Sequence, residues 1–429
     1  MFQAVLMVLF FLVIAFLMFT RKLPSLIALP LLAIGIALIG GVPLKGVDGD
    51  GNDIGLLTNI IEAGSTRLAA AFTAVIFGAW LGQVMEQTGI AQRIIKLAAE
   101  LGGDRPFWIA FAILIALTIL FTSMGGLGAV IMLGSIVLPI LISVGISPLV
   151  STGVFLFGMA GGLSVNVSNW AFFQETTGVP LETIRTFAFI IMALTLVAAV
   201  IFLLIELSRA KAKAYWADRA ADDLPGKEVG FFALITPLLP LVLITIFNWP
   251  IIPSLLVGIV YGLAVTQKSW NSFINILTKS AFEGVRDGGP AVILMIGIGM
   301  VLNAVFHPQV SATIGPLLEK IVPKSPVSYF LFFTILAPLA LYRGPLNLFG
   351  LGSGVAGLMI GLKLLPAPAV MSGLLAVERM QAIGDPTNTH NVWLAGYAEV
   401  DVNQITVKLL PYVWLLVAAG VLVATIMFI

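Results

Sequence analysis

The chain has 429 residues, of which 59% are apolar and 10% charged, with 22 Lys and Arg balancing 21 Asp and Glu. Soluble domains are roughly 45–50% apolar and about 25% charged, so this composition, with a mean hydropathy of +1.09, exceeds what any soluble core can bury. A soluble enzyme and a disordered scaffold are excluded, and the even charge balance excludes a nucleic-acid binder. Cys is absent, which removes disulfides, thiolate metal sites and cysteine nucleophiles. What remains is an all-α polytopic membrane protein whose partner is the lipid bilayer. Its 43 Gly and 23 Pro point to close helix packing and interrupted spans.

In chain order, the first apolar run covers 2–20, with no charge before it and Arg21 and Lys22 after it. A signal peptide carries its positive charge in front, so a retained span is expected. The runs 23–41, 68–86, 187–206, 230–248, 250–266, 288–306 and 405–429 are each long enough to cross. Phe107–Phe121 is too short: as a helix it reaches about 22 Å against a hydrocarbon core of roughly 30 Å. It meets the turn sequence Thr122-Ser123-Met124-Gly125-Gly126 and a second short run, so 107–142 reads as a re-entrant hairpin. The runs 328–341 and 346–365 repeat this around Tyr342-Arg343-Gly344-Pro345-Leu346-Asn347. The alternative in both places is a pair of ordinary, tightly connected helices.

After each hairpin comes an interrupted span. The run 149–163 breaks at Ser164 to Trp170, and 367–383 breaks at Gly384 to Asn391. Pro386 and the clustered Asn, Thr and Ser disfavour continuous helix there. Segments 88–102, 270–283 and 309–321 read as amphipathic interfacial helices, and Arg286-Asp287-Gly-Gly-Pro290 reads as the opening of a span at the inner surface. The count is about ten crossings plus two hairpins. With both termini outside, Arg21, Lys22, Arg93, Lys96, Arg105, Arg209, Lys211, Lys213, Arg219, Lys227, Lys268 and Lys279 fall inside, against Lys45, Arg67, Lys320 and Lys324 outside, as the positive-inside rule demands. The hydrophilic stretch 208–228 is then a cytoplasmic linker. The acidic loop 46–53 lacks the Glu spacing of a Ca²⁺ loop and reads as a solvated turn.

The order of features recurs at a shift of about 221 residues, placing Ser164 on Asp385, Ser168 on Thr389 and Glu62 on Glu283. The first repeat is 1–207, with its hairpin at 107–142 and broken helix at 149–180; the second is 229–429, with 327–365 and 367–400. Five crossings per repeat invert the second copy. Inverted repeats with broken helices around a central site are the architecture of secondary transporters, and the hairpin tips are expected to meet near the midplane.

Irregular backbone in a bilayer survives only beside protein or a watery cavity. Half-helix N-termini favour an anion, while unwound carbonyls and side-chain oxygens suit a small cation. Thr122, Ser123, Gly125, Asn166, Ser168 and Asn169 form one candidate binding set; Asn347, Thr387, Asn388, Thr389 and Asn391 form the related one. For any single member, helix–helix hydrogen bonding is the ordinary alternative. Arg343, at the second tip, is a candidate carboxylate ligand, or else the partner of Asp385 or Glu378 in a structural ion pair. Asp385, His390 and Glu378 are candidates for coupling to H⁺ or Na⁺; Asp385 also reads as a Na⁺ ligand or as the counter-ion of Arg343. His307 reads as a loop residue, and Trp170 and Trp393 as cavity-lining or packing residues. No nucleotide loop, metal cluster or nucleophile–base pair stands out, so no cofactor, metal site or enzyme chemistry is expected beyond a co-transported H⁺ or Na⁺.

The stretches GAWLGQVMEQTGIAQRIIKLAAE (78–100) and TNTHNVWLAGYAEVDVNQI (387–405) resemble segments of citrate- and gluconate-type carriers. With the order of elements, the chain resembles the ion transporter superfamily of secondary carriers, which includes citrate, dicarboxylate and gluconate permeases. The resemblance implies a scaffold and an elevator-like transport domain, a homodimer, and a carboxylate bound with Na⁺ or H⁺ at hairpin tips and unwound helices. Thr122-Ser123-Met124-Gly125 stands where dicarboxylate carriers have Ser-Asn-Thr, without the Asn, and Tyr342-Arg343-Gly344-Pro345 departs further. The functional expectation is cation-coupled symport of a small organic anion in a bacterial inner membrane. The alternatives are a Na⁺/H⁺ antiporter or the membrane subunit of a binding-protein-dependent carrier.

Overall fold

A computed structural model describes residues 2–47, 49, 51, 53–103, 105–209 and 229–429. The linker beyond Arg209, and with it Lys211, Lys213, Arg219 and Lys227, lies outside the described residues, as do positions 48, 50 and 52 of the acidic loop. In that loop the Asp53 carboxylate accepts from the Thr58 hydroxyl and, at 2.9 Å, from Gly55 N–H. These two donors hold its pKa below the usual carboxylate range.

The first half runs α1 (Phe2–Phe19), α2 (Ser25–Ile39), a π-helix (Leu56–Ala63), α3 (Gly64–Thr66), α4 (Ala69–Thr88), α5 (Ile90–Gly102), α6 (Pro106–Phe121), α7 (Gly126–Ser143), α8 (Pro148–Ser164), α9 (Val167–Thr177) and α10 (Leu181–Arg209). The second half begins with a 3-10 helix (Phe231–Leu238), followed by α11 (Leu239–Phe247), α12 (Ile251–Thr266), α13 (Trp270–Phe306) and α14 (Pro308–Leu318). It ends with α15 (Pro326–Ile335), a 3-10 turn (Ala337–Arg343), α16 (Gly352–Gly361), α17 (Ala367–Gly384), α18 (Thr389–Tyr397) and α19 (Val402–Phe428). Among the described residues six helices are long and apolar enough to cross a membrane, or eight when two bent pairs count as single spans. With the shorter apolar helices 25–39, 231–247 and 251–266, the order is that of an all-α polytopic protein with hairpins and broken helices.

Burial sorts these elements. Every residue of α17 from Ala369 to Gly384 is buried, and α8 is buried almost throughout, so the arms of the two broken helices form the centre. Helices α10 and α19 pack directly on that centre, and α1, α10, α13 and α19 expose Phe2, Phe16, Leu204, Phe282 and Leu415 outward. Without a hydrophobic drive between helices in lipid, backbone proximity does much of the joining. A β-carbon on Gly299 would sit 2.3 Å from the Gly64 carbonyl oxygen, so α3 and α13 touch main chain to main chain. At the last helices of the two halves, Glu206 on α10 pairs with Lys408 and accepts the Tyr412 hydroxyl at 2.8 Å, both from α19.

The hairpin at 107–142 has arms α6 and α7 around a tip at 122–125, as its turn sequence implies. Three expectations are corrected. Residues 270–283 are not a separate interfacial helix, and Arg286-Asp287 does not open a span. The whole of 270–306 is one helix of 37 residues containing Pro290. Neighbouring helices make a proline tolerable inside a span, and here Gly288 packs closely on Ile76 and Ala79 of α4. The second hairpin's returning helix starts at Gly352, not at 346, because 344–351 form an irregular tip. There Asn347 Nδ2 donates to Ala340 O at 3.2 Å and its Oδ1 accepts Phe349 N–H at 2.9 Å, which replaces the helical bonding.

Candidate functional site

The breaks are shorter than the sequence implies, and both are built around asparagine. α8 and α9 meet at 58° across Val165 and Asn166. Asn166 caps α9 by accepting from Ser168 N at 3.0 Å and from Asn169 N at 3.4 Å. Asn388 caps α18 through His390 N at 3.4 Å. Asn169 Nδ2 reaches back to Leu163 O at 3.0 Å, and Asn391 Nδ2 to Ile383 O at 3.0 Å. Each break therefore carries a capping Asn and, three residues on, a second Asn bonded to a carbonyl of the preceding arm. The N-termini of α9 and α18, expected to be open to an anion, are occupied in this way by their own side chains. The first turn of α7 has no side-chain cap. Against it lies the carboxylate of Asp287: a β-carbon on Gly128 would come within 2.5 Å of Asp287 Oδ2, so an acid sits at that positive helix end.

The four irregular elements converge. Asn166 Nδ2 donates to Phe121 O and Met124 O, both at 3.0 Å, and pins tip one to break one. The Thr122 hydroxyl donates to Pro237 O at 3.0 Å and the Ser123 hydroxyl shares that acceptor, so tip one also docks on the 3-10 helix. Ser168 turns away and donates to Ala74 O of α4 at 2.8 Å. Phe349 of tip two stacks on Phe172 of α9 with centroids 4.2 Å apart. Tip two and break two both reach the end of α1 and not its middle: Tyr342 of the tip lies 4.5 Å from Phe19, and Arg21 Nη2 donates to Pro386 O of the break at 3.2 Å.

At break two the Asp385 Oδ1 atom accepts from Thr387 N at 2.8 Å and from the Thr387 hydroxyl at 2.6 Å. Asp385 Oδ2 and Asn391 Oδ1 are buried with no hydrogen-bond partner among the described residues. An orphaned buried acceptor costs about 1–3 kcal/mol, so two at one break mark a place that a cation or donor would stabilise. Thr389 is exposed and outside this cluster. The Gly384 carbonyl freed at the break is satisfied by the Thr406 hydroxyl at 2.8 Å.

Arg343 is half-buried and in the left-handed region at φ 54, as is Tyr342 at φ 58. Its Nη1 donates to Phe349 O at 3.1 Å. No carboxylate lies within ion-pairing distance among the described residues; Asp385 acts on it only at longer range, and its field reaches His390. The suggested Arg343–Glu378 pair is not formed, because Glu378 Oε2 lies 2.9 Å from Arg379 Nη2. Arg379, beside Glu378, is the residue that ties the centre together. It is 1% exposed, and its Nη1 donates to Ala160 O and, at 2.8 Å, to Ser164 Oγ. It thereby joins the arms of both broken helices. An adjacent Glu378-Arg379 pair of opposite charges inside the span, six residues before the break in the case of Arg379, was the available signal.

Three further residues settle within the readings open to them: His307 lies between α13 and α14, and the two tryptophans pack. His307 is 4% exposed; its Nδ1 accepts Gln309 N–H and its Nε2 donates to Ile54 O at 3.1 Å, so it caps α14 and anchors the preceding loop. Trp170 is fully buried and its Nε1 donates to Ser164 O at 3.0 Å, closing the break instead of lining a cavity. Trp393 stacks on Tyr397 at 5.0 Å and covers Gly134 of α7.

No family model matches the chain, and no curated protein matches it by sequence. Solved structures do. The YdaH transporter of Alcanivorax borkumensis, described as having an unusual topology, is similar with a TM-score of 0.60 at 15% identity, covering 99% of this chain and 97% of the other. MtrF of Neisseria gonorrhoeae, described as illuminating a class of antimetabolite efflux pumps, is similar with a TM-score of 0.66 at 15% identity, covering 95% of each chain. The fold is thus one shared with membrane transporters over essentially its whole length.

Proposed function

We propose that the chain is a secondary active transporter that moves a small organic anion, a carboxylate by preference, coupled to H⁺ or Na⁺. The observation that carries this is Arg343: a guanidinium at an irregular tip, bonded to a carbonyl and with no acid in ion-pairing distance among the described residues, in the field of Asp385 at the break that holds the orphaned acceptors Asp385 Oδ2 and Asn391 Oδ1. A cation left uncompensated in a span has a functional partner as its usual explanation, and a planar fork suits a carboxylate. The adjacent acceptors suit the coupling cation. In this reading Asp385 is the coupling carboxylate with His390 beside it, Glu378 is committed to Arg379, and Thr122, Ser123, Gly125, Asn166, Asn169, Asn347, Thr387 and Asn388 shape the site. The hairpins and broken helices (107–180 and 327–400) move as an elevator against the remaining spans, in a homodimer in an inner membrane with both termini outside. We retain the ion transporter superfamily as the proposed affiliation.

Export in place of uptake is the second reading, favoured by the fold shared with MtrF, which is described as an efflux pump. The test is purified protein in liposomes, with pH and Na⁺ gradients imposed separately and labelled citrate, succinate and gluconate followed. Saturable movement driven by one gradient supports the symport reading, and its direction separates uptake from export. Lumenal pH responding to Na⁺ with no anion moved makes the protein a Na⁺/H⁺ antiporter and Arg343 structural. Movement that appears only with an added binding protein makes it the membrane subunit of such a carrier.

A further inference from the structure

A second guanidinium lies apart from the hairpins, where α3 and α4 meet the end of α13. Arg67 follows the contact between Gly64 and Gly299, which sets its β-carbon 3.3 Å from where a Gly299 side chain would begin. Its Nη1 donates to Asn303 Oδ1 at 2.7 Å, and its guanidinium carbon lies 5.0 Å over the Phe306 ring. Asn303 is itself fixed, donating from Nδ2 to Asn59 O at 2.7 Å. His307 closes the floor through its bond to Ile54 O at 3.1 Å. These groups border a cavity of about 170 Å³. At about 30 Å³ per water that is room for five or six waters, or for one small carboxylate or phosphate.

The partners of Arg67 orient it without neutralising it. An amide oxygen and a ring face hold the plane of the guanidinium, and no carboxylate comes within ion-pairing distance among the described residues. Glu175 on α9 acts on it only at longer range. The amide of Asn303 and the imidazole of His307 already spend their polar atoms on the protein, so the donors left over belong to Arg67, which stays exposed. A fixed, uncompensated fork of N–H groups beside a cavity of this size is the arrangement that binds an oxyanion. We infer that Arg67, Asn303 and Phe306 form a second oxyanion-binding site, separate from the hairpin tips, for a small carboxylate, a free phosphate or a lipid headgroup phosphate. The site does not depend on Arg343 and stands or falls independently of the transport reading.

The test uses the full chain carrying Arg343→Gln in nanodiscs of neutral phosphatidylcholine, titrated calorimetrically with succinate and with inorganic phosphate at constant ionic strength. Saturable binding of either is expected, weakened about tenfold or more by adding Arg67→Gln. Arg67→Lys falls between, because it keeps the charge and loses the fork. Asn303→Ala, which frees the guanidinium to rotate, weakens binding without removing it and guards against an Arg67 variant that fails to fold. Glu175→Gln leaves binding unchanged or tighter. Nanodiscs of phosphatidylglycerol that suppress succinate and phosphate binding only when Arg67 is present identify the occupant as a lipid headgroup. No binding in the Arg343→Gln protein in either lipid, or binding indifferent to Arg67→Gln, overturns the inference. Equal losses in Arg67→Gln and Glu175→Gln would overturn it too, and make the two residues a latch between α3–α4 and α9.

Discussion

Arg379 on α17 donates to the hydroxyl of Ser164, the last residue of α8, at 2.8 Å. One side chain therefore spans from the second broken helix to the brink of the first break. It does so while paired to Glu378 at 2.9 Å, with Arg379 1% and Glu378 6% exposed at their side chains. Buried ion pairs add little net stability, but removing one partner strands a charge and costs about 3–5 kcal/mol. Arg379→Met should lower the thermal unfolding temperature of the purified protein steeply. Glu378→Leu added to it should recover most of that loss. A double variant no better than Arg379→Met would mean that the bonds to Ala160 and Ser164 carry the stability.

Asn166 holds tip one through Phe121 O and Met124 O and caps α9 with its other amide atom. Asn166→Ala loses the cap, worth about 0.5–2 kcal/mol, and leaves two tip carbonyls without their donor. The tip should open more often. The chain contains no Cys, and a side chain at Gly125 would meet nothing within 4 Å, so Gly125→Cys is a unique, unstrained reporter at the tip. Maleimide should label it faster when Asn166→Ala is present. Equal labelling rates would show that the Pro237 contacts alone hold the tip.

How much of this was legible follows from which signals are local. The tip at 122–125 and both breaks announce themselves through Gly, Pro and clustered Asn, Ser and Thr, because those residues act on their own backbone. The length of tip two was hidden, since Asn347 builds it by bonding both back to Ala340 and forward to Phe349. Pro290 misled for the opposite reason: a residue that breaks helices in water sits inside one here, where glycines let α13 press on α4. A shift of 221 aligns Ser164 with Asp385, while the paired Asn166 and Asn388, and Asn169 and Asn391, align at 222. The extra residue lies in the longer second break. The reach of Arg379 and of Arg21 across the fold is a tertiary fact with no local signature.

The Gly64–Gly299 contact predicts a stability cost with no polar component. A β-carbon at Gly299 would lie 2.3 Å from Gly64 O, and one at Gly64 would lie 2.8 Å from Met300 Cα. Both obstacles are backbone, so neither can rotate aside. Gly299→Ala should destabilise by about 1–3 kcal/mol or more, as overpacking does, and should move Arg67 away from Asn303. Gly289, where a β-carbon meets nothing within 4 Å, is the control on the same helix. Gly289→Ala should leave the unfolding temperature at or slightly above that of the parent, since alanine is the better helix former. A comparable loss in the two variants would show that the close approach at Gly299 is not what costs stability, since alanine on its own favours the helix.

Arg343 and Asp385 should separate in their effects on transport. In the proposed site Arg343 meets the anion, so Arg343→Gln should abolish its movement in liposomes while the protein stays folded and monodisperse. Arg343→Lys should restore little, because a point charge does not replace a fork. Asp385 has one oxygen bonded to Thr387 and one left open. Asp385→Asn keeps its shape and the acceptor for Thr387 but removes the charge a coupling cation would need. Movement should then lose its dependence on the imposed gradient while exchange of labelled for unlabelled anion persists. His390→Ala, removing a neighbour and not a ligand, should alter the pH dependence without uncoupling. Full gradient dependence in both Asp385→Asn and His390→Ala would take break two out of the coupling path and leave its orphaned acceptors to water.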